Sequence, residues 1–210
     1  MLDIEGLVAG YGQKPLARLN SLRLKPGESG LLAGPSGSGK TTLLLAIAGL
    51  ADVLGGSVTL DGTDLTAMPP ASRDAFRGRA IGLVFQDLHL IAGLSVLDNV
   101  LLAPFAAGIP QDAGRARALL DDLGLAGHVD RPSETLSRGE AQRVAIARAM
   151  LLKPKLILAD EPTASLDDAN CDRVAGLLAH AAEESGAALV IATHDHRLKA
   201  RFATILDLTP

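Results

Sequence analysis

Apolar and polar residues alternate from Leu2 to Val8, with Leu2 and Ile4 set against Asp3 and Glu5, the period of a strand with one exposed face. Gly6 to Gly12 reads as a turn-rich stretch that ends it, and Leu19 to Lys25 alternates again. Pro26-Gly27-Glu28 is a tight turn into Ser29-Gly30-Leu31-Leu32-Ala33, which is short and apolar enough for a buried strand. Strong helix formers then run from Leu43 to Ala48, unbroken until Gly49. Ser57 to Leu60, followed by Asp61-Gly62, predicts a strand and a hairpin turn. The chain therefore begins with a small antiparallel β lobe wrapped around one buried strand and its helix.

The pattern then changes character twice. Ala71 to Arg79 predicts a helix with a basic, solvated face, and Ala80 to Phe85 a near-continuous apolar strand that stops at Gln86. From Asp87 to about Thr135 no strand pattern occurs. Asp87 to Gly93 is a loop, Ser95 an N-cap for the amphipathic Val96 to Ala103, and Asp112 to Leu123 an alanine- and arginine-rich helix. Gly124 to Ser133 is broken by glycine and proline. This reads as a helical insertion between two sheet strands. Leu136 to Glu140 opens a helix over Ala141 to Leu152, and Lys155 to Ala159 is a buried strand. A loop over Thr163 to Asp168 leads into a helix from Ala169 to Glu184 and a buried strand from Ala187 to Ala192. A short helix at Arg197 to Arg201 and a last strand at Ala203 to Leu208 finish the pattern. Buried strands alternating with helices predict an α/β fold with a mixed or parallel sheet core.

Composition narrows the classes. At 48% hydrophobic and 21% charged, 210 residues are enough for one large α/β domain or two lobes sharing a sheet. The net charge of −4 and the near absence of aromatics argue against a nucleic-acid partner. Cys171, the single cysteine, has no internal disulfide partner and reads as an ordinary residue in a polar helix, which suits a reducing compartment. The start, with Asp3 and Glu5, lacks the basic region of a secretory leader. No apolar run reaches the roughly 18–20 residues that cross a bilayer, so a membrane role requires another chain.

The candidate chemistry starts at Gly34-Pro35-Ser36-Gly37-Ser38-Gly39-Lys40-Thr41-Thr42, which fits the phosphate-binding loop pattern G-x-x-x-x-G-K-[ST]. Glycines let backbone N–H groups approach phosphate oxygens, and the following helix points its positive end at them. Lys40 is placed to reach the β- and γ-phosphates and the Thr41 hydroxyl to hold Mg²⁺. The buried strand before the loop and the helix after it supply the context that the motif requires. Asp160-Glu161 closes another buried strand. Adjacent carboxylates there are costly unless they serve an ion or a reaction, and Asp160 matches the acidic element that holds Mg²⁺ through water. Glu161 points beside it, towards the γ-phosphate. His194 ends a third buried strand and Gln86 a fourth, where open α/β sheets place their ligands. Ser137 with Glu140 forms a capping box. Tyr11, the one tyrosine, either stacks on an adenine ring or covers a turn.

Taken in order, these stretches resemble the ATP-binding subunit of ATP-binding cassette (ABC) transporters over nearly all of Leu2 to Leu208. The resemblance rests on Gly34 to Thr42, Gln86, Leu136-Ser137-Arg138-Gly139-Glu140, Leu158-Ala159-Asp160-Glu161, Ser165-Leu166-Asp167 and His194, together with Gln142 to Ala149. It implies a single P-loop NTPase nucleotide-binding domain over 1–210, in which the RecA-like core and β lobe take 1–86 and 136–210 and a helical subdomain takes about 87–135. It also implies a homodimer holding two ATP molecules at its interface, each on one copy's phosphate loop and closed by the other's Ser137, Gly139 and Glu140. In that arrangement Glu161 positions or deprotonates the attacking water, and His194 holds it against the γ-phosphate. Gln86 contacts Mg²⁺ and the water, Asp167 ties the two sites together, and Tyr11 stacks on adenine. Catalytic roles fall on Glu161, His194, Lys40 and Gln86, and Mg²⁺ on Thr41, Gln86 and Asp160.

The stretches Phe85 to Ile91 and Leu94 to Val100 are similar to the lipoprotein-release and macrolide-export subgroup, whose ATPases drive a separate transmembrane permease from the cytoplasmic face of the membrane. Leu88, Leu90, Ile91 and Leu94 either line an apolar groove for a partner's cytoplasmic helix or close the domain's own core. The alternatives are an importer ATPase for small solutes and a soluble ABC protein outside transport. Two departures stand out. Arg138 and Glu140 replace the glycine and glutamine more usual in the family, which bears on the strength of dimer closure.

Overall fold

In a computed structural model, residues 1–164 and 166–208 are described. The elements in order are β1 (Leu2–Tyr11), β2 (Lys14–Leu24), β3 (Ser29–Ala33), α1 (Lys40–Ile47), β4 (Asp52–Leu60), β5 (Thr63–Asp64), α2 (Pro70–Ala80) and β6 (Ile81–Val84). They continue with α3 (Val96–Ala106), α4 (Ala113–Asp122), α5 (Arg138–Met150), β7 (Leu156–Asp160), α6 (Asp168–Ser185), β8 (Ala188–Thr193) and β9 (Thr204–Asp207). Among the described residues, the strands form an antiparallel sheet in the order β2-β1-β4-β5 and a parallel sheet in the order β6-β7-β8-β3-β9. Together with the helices this is the α/β fold that the sequence predicts.

The apolar runs of the parallel strands divide between two faces, as period-two geometry requires. Leu32, Leu158, Val190 and Ala192 face α1 and the β lobe, whereas Leu31, Ile157, Leu189 and Ile191 face the layer of α5 and α6. Helices on both faces explain why these strands read as continuously apolar rather than alternating. Helix α5 belongs to two cores. Its Ile146 and Ala149 pack under the sheet, while Val144, Ala147 and Leu151 join Val96, Val100, Ala116, Leu120 and Leu125 of the helical region.

Within the β lobe, strand boundaries differ from the sequence pattern. The glycines from Gly6 to Gly12 do not end β1, which runs on to Tyr11. Gly6 and Gly56 sit opposite each other with φ of 58° and 78°, and the β1–β4 register shifts there. A side chain at Gly56 would meet the Gly6 carbonyl, so the pair forms a bulge inside continuous strands rather than a turn. For the same reason β4 begins at Asp52, well before Ser57. The short helix predicted at Arg197 to Arg201 is present, as a 3₁₀ helix over His196–Arg201. Cys171 is fully buried in the cluster under the sheet that also holds Val174 and Ala175, rather than on a polar helix surface, and its Sγ lies 3.5 Å from Asp195 Oδ2. Among the described residues, no helix is long and apolar enough to cross a membrane.

Candidate functional site

Parallel strands bring their carboxyl ends to one edge, and that edge collects the predicted residues. The phosphate loop follows β3; Asp160 ends β7 with Glu161 next; Thr193 ends β8 with His194 next; and Gln86 lies two residues beyond β6, exposed. Because β6 pairs β7 and β7 pairs β8, these groups are neighbours along the edge.

The loop itself is shaped for an anion. Gly37 and Gly39 adopt φ of 83° and 85°, which an L side chain rarely tolerates. A Cβ on Gly39 would also lie 2.4 Å from Cβ of Ala17, so the β1–β2 hairpin packs directly on the loop. Helices α3, α4, α5 and α6 each have an N-cap side chain, from Ser95, Asp112, Ser137 and Asp167. Helix α1 has none, which leaves its first-turn N–H groups without a side-chain cap. The hydroxyl of Ser38 is buried without a hydrogen-bond partner, and Lys40 is only 5% exposed, its ammonium donating to the carbonyls of Gly34 and Pro35 at 2.8 and 2.9 Å. Uncapped amides, an orphaned hydroxyl and a buried ammonium fit a bound phosphate chain. Pro35 and Ser36 form the exposed rim of the loop, and Thr42 lies half-buried in the first turn of α1.

Beside it, Thr41 Oγ1 donates to Asp160 Oδ1 at 3.1 Å. Burial, followed by the charge of Glu161, pushes the Asp160 carboxyl above its usual range, against the Thr41 bond that lowers it. No cluster of three or more His, Cys, Asp or Glu suited to a metal occurs among the described residues. Thr41 and Asp160 fit Mg²⁺ only as a partial ligand set completed by phosphate oxygens, which suits an ion that arrives with a nucleotide.

Glu161 is held on several sides. Its carboxylate accepts from the Thr193 hydroxyl at 2.8 Å and the His194 amide at 3.2 Å, lies 2.8 Å from His194 Nδ1, and is 3.7 Å from the Lys40 ammonium. Its backbone φ of 45° is left-handed, an uncommon strain for a non-glycine residue that concentrates at functional sites. Asp160 and Glu161 thus diverge: one faces Thr41, the other His194.

Ser137 caps α5 in a complete capping box. Its hydroxyl and amide both donate to Glu140 Oε2 at 2.7 Å, the Glu140 amide donates back at 3.3 Å, and His128 Nε2 lies 3.0 Å from Glu140 Oε1. The Ser137 hydroxyl bond, then the amide, holds the Glu140 carboxyl below its usual range. Arg138 and Ser137 are exposed and Gly139 half-buried. Asp167 is exposed and caps α6 through the Asn170 amide at 2.8 Å; Ser165 lies outside the described residues. Tyr11, 51% exposed, ends β1 at the hairpin whose second strand packs on the phosphate loop. That hairpin, the loop and β9 border a cleft of about 670 Å³ lined by Leu16, Ala17, Gly37, Ser38 and Leu208 among others.

The sequence pattern missed several residues. Arg148 of α5 donates to the carbonyls of Leu88 and His89, pinning the segment after Gln86 to α5. A lone arginine within Val144 to Ala149 was the available sign. Leu90 packs into the helical core and Leu88 is half-buried, so the expected groove of Leu88, Leu90, Ile91 and Leu94 is not the apolar cavity of this region. A cavity of about 750 Å³ lies instead beside it, lined by Phe85, His89, Leu102, Ala103, Ala106 and Leu152, with Arg77, Arg79 and Arg148 also on its wall.

The family model described as ABC transporter matches residues 18–164. "Lipoprotein-releasing system ATP-binding protein LolD 1" of Rhodopirellula baltica is 43% identical to this chain, covering 92% of it and 87% of its own length. The LolD protein of Hyphomonas neptunium is 42% identical over 99% of this chain and 94% of its own. Among solved structures, the dimeric post-hydrolysis state of the ATP-binding cassette MJ0796 bound to ADP and Pi aligns with a TM-score of 0.85 and 31% identity, covering 100% of this chain and 94% of that one.

Proposed function

The chain belongs to the ABC transporter family, and we propose that two copies of it, closing on ATP and parting after hydrolysis, drive a separate membrane-embedded partner of lipoprotein-release type. The observation that carries this reading is the Glu161 carboxylate, gripped by Thr193 and His194 and set 3.7 Å from the Lys40 ammonium beside the phosphate loop. Such a group is placed to take the proton of a water attacking a γ-phosphate. The likeness to a dimeric cassette holding ADP and Pi, and to LolD proteins along nearly their whole length, supports the same reading.

In this reading the amides of Gly37 to Thr41 and the orphaned Ser38 hydroxyl hold the phosphates, and Lys40 turns from the Gly34 and Pro35 carbonyls to the β- and γ-phosphates. Mg²⁺, when bound, supplies Lewis-acid stabilisation of the phosphate charge, with Thr41, Asp160 and Gln86 as its protein contacts. His194 holds the water and the Glu161 carboxylate in line, and Tyr11 lies against the adenine. The second copy brings Ser137, Gly139 and Glu140 to the γ-phosphate, and Asp167 meets its counterpart site. The helical region of about 87–135 carries the contact to the membrane partner. That partner's cytoplasmic helix docks in the cavity between Phe85 and Ala106, whose arginine wall favours acidic groups. In this reading the protein works on the inner face of the cell membrane as a translocase ATPase.

The test is Glu161→Gln. Purified with ATP, it binds nucleotide, loses nearly all turnover and elutes as a dimer in size-exclusion chromatography with light scattering. A variant that stays monomeric with saturating ATP at high protein concentration overturns the shared-site reading.

A further inference from the structure

Arg197 belongs to none of the motifs quoted above, yet its guanidinium joins the segments that carry the site. Its Nε and Nη2 donate to Asp195 Oδ1 and Oδ2 at 2.9 and 2.7 Å, a two-pronged pair. Its Nη1 donates to Asp168, the first residue of α6, and its Nη2 also reaches the Leu166 carbonyl at 3.3 Å. One planar group thus spans the exit of β8 and the turn that leads from Glu161 into α6.

Asp195, the hub, is 14% exposed at its side chain. Its Oδ2 accepts from the Thr163 hydroxyl at 3.3 Å and lies 3.5 Å from Cys171 Sγ. Its amide donates to Thr193 Oγ1 at 3.0 Å, and that hydroxyl donates to Glu161 Oε2 at 2.8 Å. Hydrogen bonds therefore run without a break from Arg197 through Asp195 and Thr193 to Glu161. Arg197, first among its partners, holds the Asp195 carboxyl far below the usual range, which favours the charged pair. Ion pairs at the surface add little stability, and what this one fixes is geometry. Without the fork, the segment from Thr163 into α6 would be tied to Asp195 only by the Thr163 hydroxyl and the Cys171 thiol among these contacts.

We propose that Arg197 is a positioning residue that locks the Leu166–Asp168 turn to the exit of β8, so that Glu161, His194 and Asp167 move as one body when a second copy closes. This rests on the hydrolytic reading of Glu161 and His194 given above. A lysine keeps the charge but offers one point of donation in place of a planar fork, so it does not restore the lock.

The experiment is a steady-state ATPase assay on the full chain with Arg197→Lys, Asp168→Asn, their double variant and Glu161→Gln. The Asp168 side chain is 90% exposed, so Asp168→Asn keeps the fold and serves as the independent probe. Arg197→Lys is expected to lower kcat by about tenfold with KM for ATP within about twofold, and Asp168→Asn by a smaller factor in the same manner. In the double variant the Asp168→Asn loss vanishes, because the lock is already open. Unchanged kcat in Asp168→Asn, additive losses, or KM rising in parallel with any fall in kcat overturns the proposal. Glu161→Gln separates the two levels. If it retains turnover, the hydrolytic reading fails; if it is inactive while Arg197→Lys is fully active, the lock alone fails.

Discussion

His194 Nδ1 lies 2.8 Å from Glu161 Oε1, across the neighbouring ends of β8 and β7. The ring nitrogen, when it carries its hydrogen, donates to that oxygen, and the second carboxylate oxygen accepts from Thr193. Removing the ring leaves Glu161 anchored by Thr193 and by the His194 amide but free to turn towards Lys40. His194→Ala is therefore expected to lower kcat by about 10²-fold or more while the affinity for ATP stays within about twofold. Nucleotide titration and single-turnover hydrolysis measure the two effects separately, and full turnover would remove the assigned role.

Asp160 carries a stability consequence that its neighbour does not. Burial raises its carboxyl above the usual value, aided by the charge of Glu161, so ionising Asp160 costs the folded protein more than the unfolded chain. An acid whose folded value is raised binds its proton more tightly folded than unfolded, so stability falls as pH rises through that range. Asp160→Asn keeps an acceptor for the Thr41 hydroxyl and removes the charge. It is expected to raise Tm at neutral pH by a few degrees without nucleotide, and to lose Mg²⁺-dependent hydrolysis. Thermal melts across pH check the sign: the gap to the parent protein closes on acidification, as the parent takes up the proton. A gap that widens instead refutes the assignment.

The ends of the buried strands were legible in the sequence because an apolar run that stops at Gln86, Asp160 or His194 leaves no other place for the polar group. The phosphate loop was legible for the same local reason. What the pattern hid depends on partners far along the chain. Gly6 reads as a turn until Gly56 is placed against it, fifty residues on, and the two become a bulge. From the sequence Leu90 fits a partner groove or the core equally, and only helical packing assigns it to the core, while Ala103 and Ala106, unremarkable in a helix, end up lining the cavity. Arg197 reads as a charge on a short helix, and only tertiary structure brings Asp168 and the Leu166 carbonyl to it.

That cavity yields a docking prediction. Phe85 and His89 meet edge to face at 5.3 Å on one wall, and Ala103 and Ala106 of α3 form the other. Ala106 is exposed at the end of α3, so a glutamate there strains no packing but puts a charge into the cavity wall. Ala106→Glu is expected to leave the ATPase of the isolated chain within about twofold of the parent, since exposed positions rarely disturb a fold. Co-purification with the membrane partner should fall several-fold. Equal recovery from membranes would move the docking site elsewhere.

Glu140 occupies the N-terminus of α5, where a γ-phosphate from a second copy's nucleotide is expected to bind. Its Oε2 already takes both the amide and the hydroxyl of Ser137, and its Oε1 takes His128 Nε2. The positive end of the helix and the donors suited to an anion are thus engaged by the chain's own carboxylate. An incoming phosphate must displace it or bear the repulsion. Glutamine keeps the length and the oxygen that accepts from Ser137, but carries no charge. In the Glu161→Gln background, which prevents hydrolysis from resetting the pair, adding Glu140→Gln is expected to lower the ATP concentration for half-maximal dimerisation several-fold. Sedimentation or light scattering across an ATP series reads this directly. The cap itself survives, so the melting curve without ATP should barely move, and that separates loss of repulsion from loss of structure. If the substitution instead weakens dimerisation while the melt is unchanged, Glu140 is an attractive contact across the interface and not a competitor for the phosphate.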